Sequence, residues 1–459
     1  MLKKNDTITL EINSITNLGF GVGRHEGLVV FVSGAVTGDV AEVKIIKLTP
    51  SYAVGRVENF ISKSALRTDK RCSVSACTSC AYKSISYEHE KEIKHTDVKE
   101  AFVKAGLSEV EIGELISSPK TTEYRNKAQY PISVDKNGEY VIGFYAPKSH
   151  RITEARHCPL APSVFADILD NLAVFFKKYK ISTYNEESGE GLLRHIYIRR
   201  GEVSGEILLT VVINGNSIPH SDELIRGVRE CCPHIVGVLL NVNKKNTNII
   251  LGDKFITLYG RDYIYDTLAG VKLKITAPSF YQVNHDAAEL LYKKARELAA
   301  PTAEDTLLDL YCGAGSIGLS MARDVGELIG IEIVESAVTC ARENASDNEI
   351  SNAKFYTGDA TVTEKLLENA ERELGRRINP TIVIIDPPRA GCDVKLINYV
   401  ASLYPKRVVY VSCNPTTLAR DCAVFKSLGY CCGTVTPVDL FPATGHVESV
   451  VCLTRTFDN

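Results

Sequence analysis

The chain has 459 residues, 44% hydrophobic and 24% charged, with a formal net charge of −3. That length predicts two or three domains, and the mild acidity excludes a generically basic nucleic-acid binder, leaving room for local positive patches only. No run reaches the roughly 20 apolar residues of a membrane span, and fourteen cysteines behind a start without a signal-like stretch suit a soluble cytoplasmic protein whose thiols serve as metal ligands or nucleophiles.

Residues 1–60 alternate apolar and polar positions in short runs such as "TITLEINSI" and "LVVFVSG", which predicts about five strands of a small OB-like barrel. Six Lys and Arg against six Asp and Glu in this stretch leave its charge neutral. Residues 61–265 form a middle domain. It turns helical near 91–121, a part expected to pack on the catalytic domain, and then reads as strands ("YVIGFYA", "RHIYIRR", "EILLTVVIN", "IVGVLLNVN") of an antiparallel, mostly β unit. From 266 to 459 apolar strands alternate with helical patterns, as parallel βαβ units and a Rossmann-like doubly wound sheet require; ligands of such sheets bind at the carboxyl ends of the strands.

The residues at those strand ends carry the chemistry. "DLYCGAGSIG" (309–318) has the GxGxxG spacing of a dinucleotide turn, but a pyrophosphate needs backbone N–H groups free of nearby negative charge. Asp309 before the glycines and Glu332 at the next strand end favour S-adenosylmethionine, an unphosphorylated cationic cofactor whose ribose hydroxyls a carboxylate can accept. Asp359 in "GDA" is placed to meet the adenine amino group, and Asp386 in "IIDPPRAG" stands over the reacting region. Cys413 in "RVVYVSCNPTTLARD" precedes a helix starting at Pro415, whose N-terminus is expected to lower the thiol pKa; this is a nucleophile's position. Glu448, entering a final strand, is the candidate general base. Cys312 reads as a packing residue.

Taken in order, "SFYQVN", "DLYCGAGSIGL", "IIDPPRAG", "VSCNPTTLARD" and "FPATGHVESV" closely resemble the bacterial RNA uracil-5-methyltransferases, over nearly the whole chain. The resemblance implies that the barrel is a TRAM domain. It implies that Gln282, Tyr311, Glu332 and Asp386 line the cofactor and base pocket, joined by Asp309, Gly313, Gly315 and Asp359 from the residue reading. It also implies that Cys413 adds to uracil carbon 6 and that Glu448 removes the carbon-5 proton. By the same resemblance the barrel points to 23S ribosomal RNA, since a transfer-RNA branch of that family lacks it; transfer RNA is the alternative. A dinucleotide-dependent oxidoreductase with an iron–sulfur relay, or a non-catalytic RNA-binding protein, would leave Cys413, Asp386 and Glu448 idle.

Cys72, Cys77 and Cys80 in "RCSVSACTSC", with Cys158 downstream, have the grouping of a four-iron four-sulfur cluster, which many members of the resembled family carry. Here the first spacing is four residues where five are expected, and Thr78 and Ser79 replace a glycine pair; zinc is the competing occupant. Candidate RNA contacts are Tyr124, Arg125 and Lys127, then Arg194, Arg199 and Arg200, then Lys244 and Lys245, and Arg389. A monomer acting on RNA is expected.

Overall fold

The computed structural model describes residues 2–68, 72, 74, 77–146 and 149–456. At the amino end β1 (Thr7–Glu11), β2 (Ser14–Ile15), β3 (Phe20–His25), β4 (Leu28–Ser33), β5 (Val40–Leu48) and β6 (Tyr52–Ser62) join in one sheet ordered β1-β5-β6-β4-β3-β2. Alternation turns Leu10, Val30, Val32, Val43 and Ile45 into a shared apolar core. The strands number six where about five were expected, the extra one being the two-residue β2. Between β2 and β3 the Gly19 and Phe20 amides fold back on Thr16, onto its carbonyl (2.9 Å) and hydroxyl (3.1 Å). This makes a tight turn with Leu18 at its tip.

Helix α1 (Tyr87–Lys104) starts on Ser86, whose hydroxyl accepts from the His89 amide. Val98, Ala101 and Phe102 join the core of the catalytic sheet, so α1 packs against that sheet. The helical extent differs: "EIGELI" (111–116) is no helix, because Ile112 and Ile116 form β-bridges to Val435 and Val438.

The middle sheet is ordered β13-β12-β11-β10-β7-β8-β9, with β7 (Lys127–Val134), β8 (Tyr140–Tyr145), β9 (Ile152–Glu154), β10 (Leu193–Arg200), β11 (Ile207–Ile213), β12 (Ile235–Val242) and β13 (Lys254–Gly260). It departs from the antiparallel expectation at one joint. Strands β11 and β12 pair in parallel, and α3 (Ser221–Cys231) makes the crossover that parallel neighbours require. A second unforeseen helix, α2 (Ser163–Tyr179), buries Phe165, Ile168, Leu169, Leu172 and Phe176. The expected boundary at 265 falls inside a hairpin of β14 (Tyr263–Leu268) and β15 (Val271–Thr276), whose Ile264, Leu268, Leu273 and Ile275 belong to the catalytic core.

The catalytic sheet follows α4 (His285–Ala299). Its parallel strands are β16 (Thr306–Leu310), β17 (Glu327–Glu332), β18 (Ala353–Thr357), β19 (Ile382–Ile385) and β20 (Arg407–Ser412), joined through α5 (Ser316–Met321), α6 (Glu335–Asp347), α7 (Thr363–Leu374) and α8 (Val394–Ser402). After α9 (Pro415–Ser427) come β21 (Tyr430–Cys432), β22 (Thr436–Val438) and β23 (Glu448–Arg455), and the order is β18-β17-β16-β19-β20-β23-β21 with β22 beside β23. The expected Rossmann-like topology is present. Strand β23 alone lies antiparallel between β20 and β21.

A buried ionic knot binds α1 to the loop that leads into β23. Lys94 Nζ donates to Glu90 Oε1 (2.7 Å), Asp439 Oδ1 (2.8 Å) and the Phe441 carbonyl (3.1 Å), and all three charged side chains are fully buried. Glu90 Oε1 also accepts from the Ala443 amide at 2.7 Å. Removing one partner strands the others without water, so Lys94→Met is expected to destabilise the protein by about 3–5 kcal/mol in urea denaturation. A loss below about 1 kcal/mol, the ordinary value of an exposed pair, would contradict this role.

Candidate active site

Strand register fixes the two central groups. The β20–β23 ladder runs from Arg407 opposite Thr454 to Ser412 opposite Ser449. One position further, Cys413 leaves β20 and Glu448 enters β23. Opposed residues of an antiparallel pair have Cα atoms about 4.5–5.5 Å apart, so thiol and carboxylate come to one sheet edge. Asp386 reaches the same edge one residue beyond β19, whose Ile385 pairs with Tyr410. Cys413, Glu448 and Asp386 all line a cavity of ≈ 1020 Å³.

The same cavity is lined by Gln282, Tyr311, Gly313, Glu332 and Asp359, five of the residues expected to hold the cofactor. The chain approaches it through three successive departures from ordinary backbone: Tyr311 at φ +62°, Gly313 at +56° and Gly315 at +81°. Glu332 braces the turn, its Oε2 accepting from the Gly313 amide (3.1 Å) and its Oε1 from the Val334 amide (2.9 Å). Gln282 is held through the backbone of its motif. Asn126 Nδ2 donates to the Gln282 carbonyl (2.8 Å), Tyr281 donates its hydroxyl to buried Asp266 (2.8 Å), and Asn284 Nδ2 donates to the Leu440 carbonyl (3.1 Å).

Two members of the expected cofactor set lie elsewhere. Asp309 is 1% exposed and does not line the cavity; its Oδ2 accepts from the Gly318 amide at 2.9 Å. A Cβ on Gly318 would lie 2.6 Å from that oxygen, so the third glycine of the GxGxxG pattern makes room for a carboxylate beneath the turn. Burial pushes Asp309 up to about 8, against the lowering by the Gly318 amide. Gly315 is the residue before α5 and also lies off the cavity. Cys312 is buried, as expected of a packing residue.

The electrostatics correct a further expectation. Burial raises the Cys413 thiol, and Glu448 and Asp386 raise it further, against the lowering by Arg389; the N-terminus of α9 does not prevail. Burial pushes Glu448 up to about 8, with Asp386 adding repulsion, and pushes Asp386 up to about 7. Acids tuned toward neutrality suit proton transfer at physiological pH.

The residues expected on an RNA surface divide sharply. Arg389 is exposed on the cavity lip and donates to His446 Nδ1 at 2.7 Å. Lys127 lines the cavity interior, its ammonium pushed down to about 8 by burial and by Arg199 and Arg125. Lys244 stays exposed, and the others are engaged within the protein. Tyr124 is buried and donates to the Pro442 carbonyl, and Arg125 turns to the cysteines. Arg194 is buried on the Asn243 and Lys245 carbonyls, and Arg199 on those of Ala277 and Ser279. Arg200 pairs with Glu202 and Lys245 with Asp253. A strand of alternating Arg and Tyr reads as a surface, but both faces of this strand are covered. The sequence reading missed Phe280, which is 69% exposed on the cavity wall although it stands two residues before Gln282 in the same motif; it also missed His446.

Cys72, Cys77, Cys80 and Cys158 surround one small cavity together with Arg125 and Lys83. Among the described residues no three His, Cys, Asp or Glu are grouped as a single metal ion requires. None of the described helices is long and apolar enough to cross a membrane.

Because Glu448 holds its proton more tightly folded than unfolded, its stabilisation is complete below the ordinary carboxylate pKa and is lost as pH rises through about 8. Glu448→Gln removes that loss. The melting temperature of the variant, relative to the parent, is expected to climb between pH 5 and pH 8.5. A difference independent of pH would contradict the buried-acid assignment.

The family description tRNA (Uracil-5-)-methyltransferase matches residues 236–456, and TRAM domain matches residues 2–57. The chain is 38% identical over 458 residues to an uncharacterized RNA methyltransferase of Clostridium acetobutylicum, covering 99% of this chain and 98% of that one. It is 36% identical to another of Clostridium tetani, covering 99% and 97%. It is also similar to the crystal structure of Pyrococcus abyssi tRNA (uracil-54, C5)-methyltransferase in complex with S-adenosyl-L-homocysteine, with a TM-score of 0.78 at 26% identity, covering 97% of this chain and 100% of that one. With a TRAM domain before its catalytic domain, this chain belongs to the RNA uracil-5-methyltransferase family and is an RNA methyltransferase.

Proposed function

We propose that the protein methylates carbon 5 of a uridine in 23S ribosomal RNA, using S-adenosylmethionine, through a covalent adduct on Cys413. The observation that carries this reading is the convergence of Cys413, Glu448 and Asp386 at one edge of a single cavity that also holds the braced glycine turn. Tyr311, Gly313, Glu332 and Asp359 would hold the cofactor, which supplies the methyl group. Cys413, as thiolate, forms a bond to carbon 6 of uracil, and the electron pair moves to carbon 5, which takes the methyl group. Glu448 then accepts the carbon-5 proton, the carbon 5–carbon 6 double bond re-forms and the Cys413 thiolate leaves. Asp386 holds the uracil edge, and Phe280 offers an aromatic face to a base flipped from its RNA.

The likeness to a transfer-RNA enzyme over 97% of the chain favours transfer RNA as a second reading, since the barrel no longer separates the two classes. Methyl transfer from labelled cofactor to unmodified 23S and transfer RNA, followed by mapping, decides between them. Label is expected as 5-methyluridine in 23S RNA, with activity abolished in Cys413→Ala and a protein–RNA adduct accumulating in Glu448→Gln. Label confined to transfer RNA would establish the second reading. Turnover by Cys413→Ala, or no 5-methyluridine in either RNA, would refute the mechanism.

The four cysteines are proposed to hold a four-iron four-sulfur cluster with a structural role. Their common cavity supports this, as does Arg125, whose Nε is buried without a hydrogen bond and whose guanidinium acts on Cys80 and Cys158. A cation there would offset the negative charge of a thiolate-bound cluster. Anaerobically purified protein is expected to be brown with about four irons per chain; a colourless protein with stoichiometric zinc would contradict this.

A further inference from the structure

Beside the catalytic cavity lies a second hollow of ≈ 530 Å³, and Cys413 lies on the wall of both. Five parts of the chain build it: the barrel turn at Asn17 and Leu18, helix α1 from Asp97 to Lys104, Arg389, Cys413 with the start of α9, and the loop that enters β23. The proposed methyl transfer needs only the first cavity, so the second requires its own explanation.

The barrel turn is clamped in place. A Cβ on Gly445 would lie 1.9 Å from the Asn17 carbonyl oxygen, and one on Gly19, at φ +79°, would lie 2.5 Å from the Ala81 carbonyl oxygen. These contacts leave no room for the turn to tilt inward. They hold Leu18, 74% exposed, at the rim of the hollow. A large apolar side chain kept in water at a fixed position invites a flat apolar partner.

The polar walls are as specific. Asp97 makes no hydrogen bond or ion pair with the described residues, and burial, with Glu100 nearby, pushes it up to about 6; Glu100 itself pairs with Lys104 at 2.8 Å. Opposite, Arg389 donates to His446, whose protonation burial and Arg389 disfavour. No described carboxylate pairs with Arg389, so its charge is available. The hollow thus offers a cation, an unengaged carboxylate and an apolar wall.

A nucleotide presents the complements of all three: a phosphate, a base edge and a base face. We infer that this hollow is a second nucleotide pocket, holding the base next to the target uridine and favouring one with an exocyclic amine. Asp97 accepts from the amine of adenine, cytosine or guanine, as carboxylates do in base readout, whereas uracil offers it only an N3–H flanked by two repelling carbonyl oxygens. Leu18 covers the base face, and Arg389 meets the linking phosphate. Because Cys413 borders both spaces, the two nucleotides are neighbours along one strand. The inference rests on the uridine-methylating reading and adds to it a sequence preference.

The test uses short RNAs containing the mapped uridine, with each of the four bases immediately 5′ or 3′ of it. At one of those positions the parent protein is expected to favour amine-bearing bases over uracil by about tenfold in kcat/KM. Asp97→Ala should reduce that preference to within about twofold, and Asp97→Leu, which fills the space without any acceptor, gives the same readout should the alanine variant not fold. Leu18→Ala should lower kcat/KM on all four RNAs without changing their order. Equal use of all bases at both positions, or a preference that survives loss of the Asp97 carboxylate, overturns the pocket while leaving the methylation reading intact. Absence of methylation of every RNA by the parent protein overturns the methylation reading and the pocket with it.

Discussion

The catalytic arrangement depends on the register of one antiparallel strand. Every other strand in the core of the catalytic sheet runs parallel, so each delivers one carboxyl end to the ligand edge. Strand β23 runs the opposite way beside β20 and therefore delivers its first residue, Glu448, to the edge where β20 delivers Cys413. A slip of one residue would turn the β23 side chains to the other face of the sheet. The continuous apolar run Val450, Val451 and Leu453, all essentially buried, makes such a slip costly. Packing that looks purely structural thereby sets the position of the proposed proton acceptor.

The loop that enters β23 is fixed from outside the sheet. Helix α1 supplies Lys94 and Glu90, which bind Asp439, Phe441 and Ala443 by side-chain and backbone hydrogen bonds, and the barrel turn abuts Gly445. Two parts of the chain far away in sequence thus brace ten residues that carry Phe441, His446 and Glu448. In the space so formed, burial raises two carboxylic acids and a thiol together. Asp386 disfavours ionisation of Glu448, and both carboxylates disfavour ionisation of the Cys413 thiol. A bound RNA, bringing its own charges and excluding water, will alter that balance.

Much of this was legible in the residues. Strand–helix alternation, strand-terminal acids and the Cys413 and Glu448 motifs identify the catalytic sheet and its edge, because a parallel sheet allows few places for a ligand. Asp309 lies beneath the turn on the Gly318 amide, and period alone does not say which side of a strand end faces the cavity. The Cys413 pKa was misread because a helix terminus is visible in sequence, while the carboxylates that oppose it come from residues 27 and 35 positions away. Arg194 and Arg199 resembled a basic surface because nothing local reveals that the strand is covered on both faces. Phe280 was within reach, standing inside a motif already singled out. The parallel joint of β11 and β12 had a visible signal in the α3 pattern between them.

The central claim is that Cys413 and Glu448 act in succession on one uracil ring, and RNA carrying 5-fluorouridine at the target position tests it most directly. Fluorine at carbon 5 leaves Glu448 no proton to remove, so methylation should proceed and the elimination should stall. The account predicts a denaturation-stable protein–RNA complex containing one transferred methyl group, with the nucleotide mapped by mass spectrometry to the peptide bearing Cys413. Free RNA with no covalent complex, or an adduct on any other residue, would contradict it.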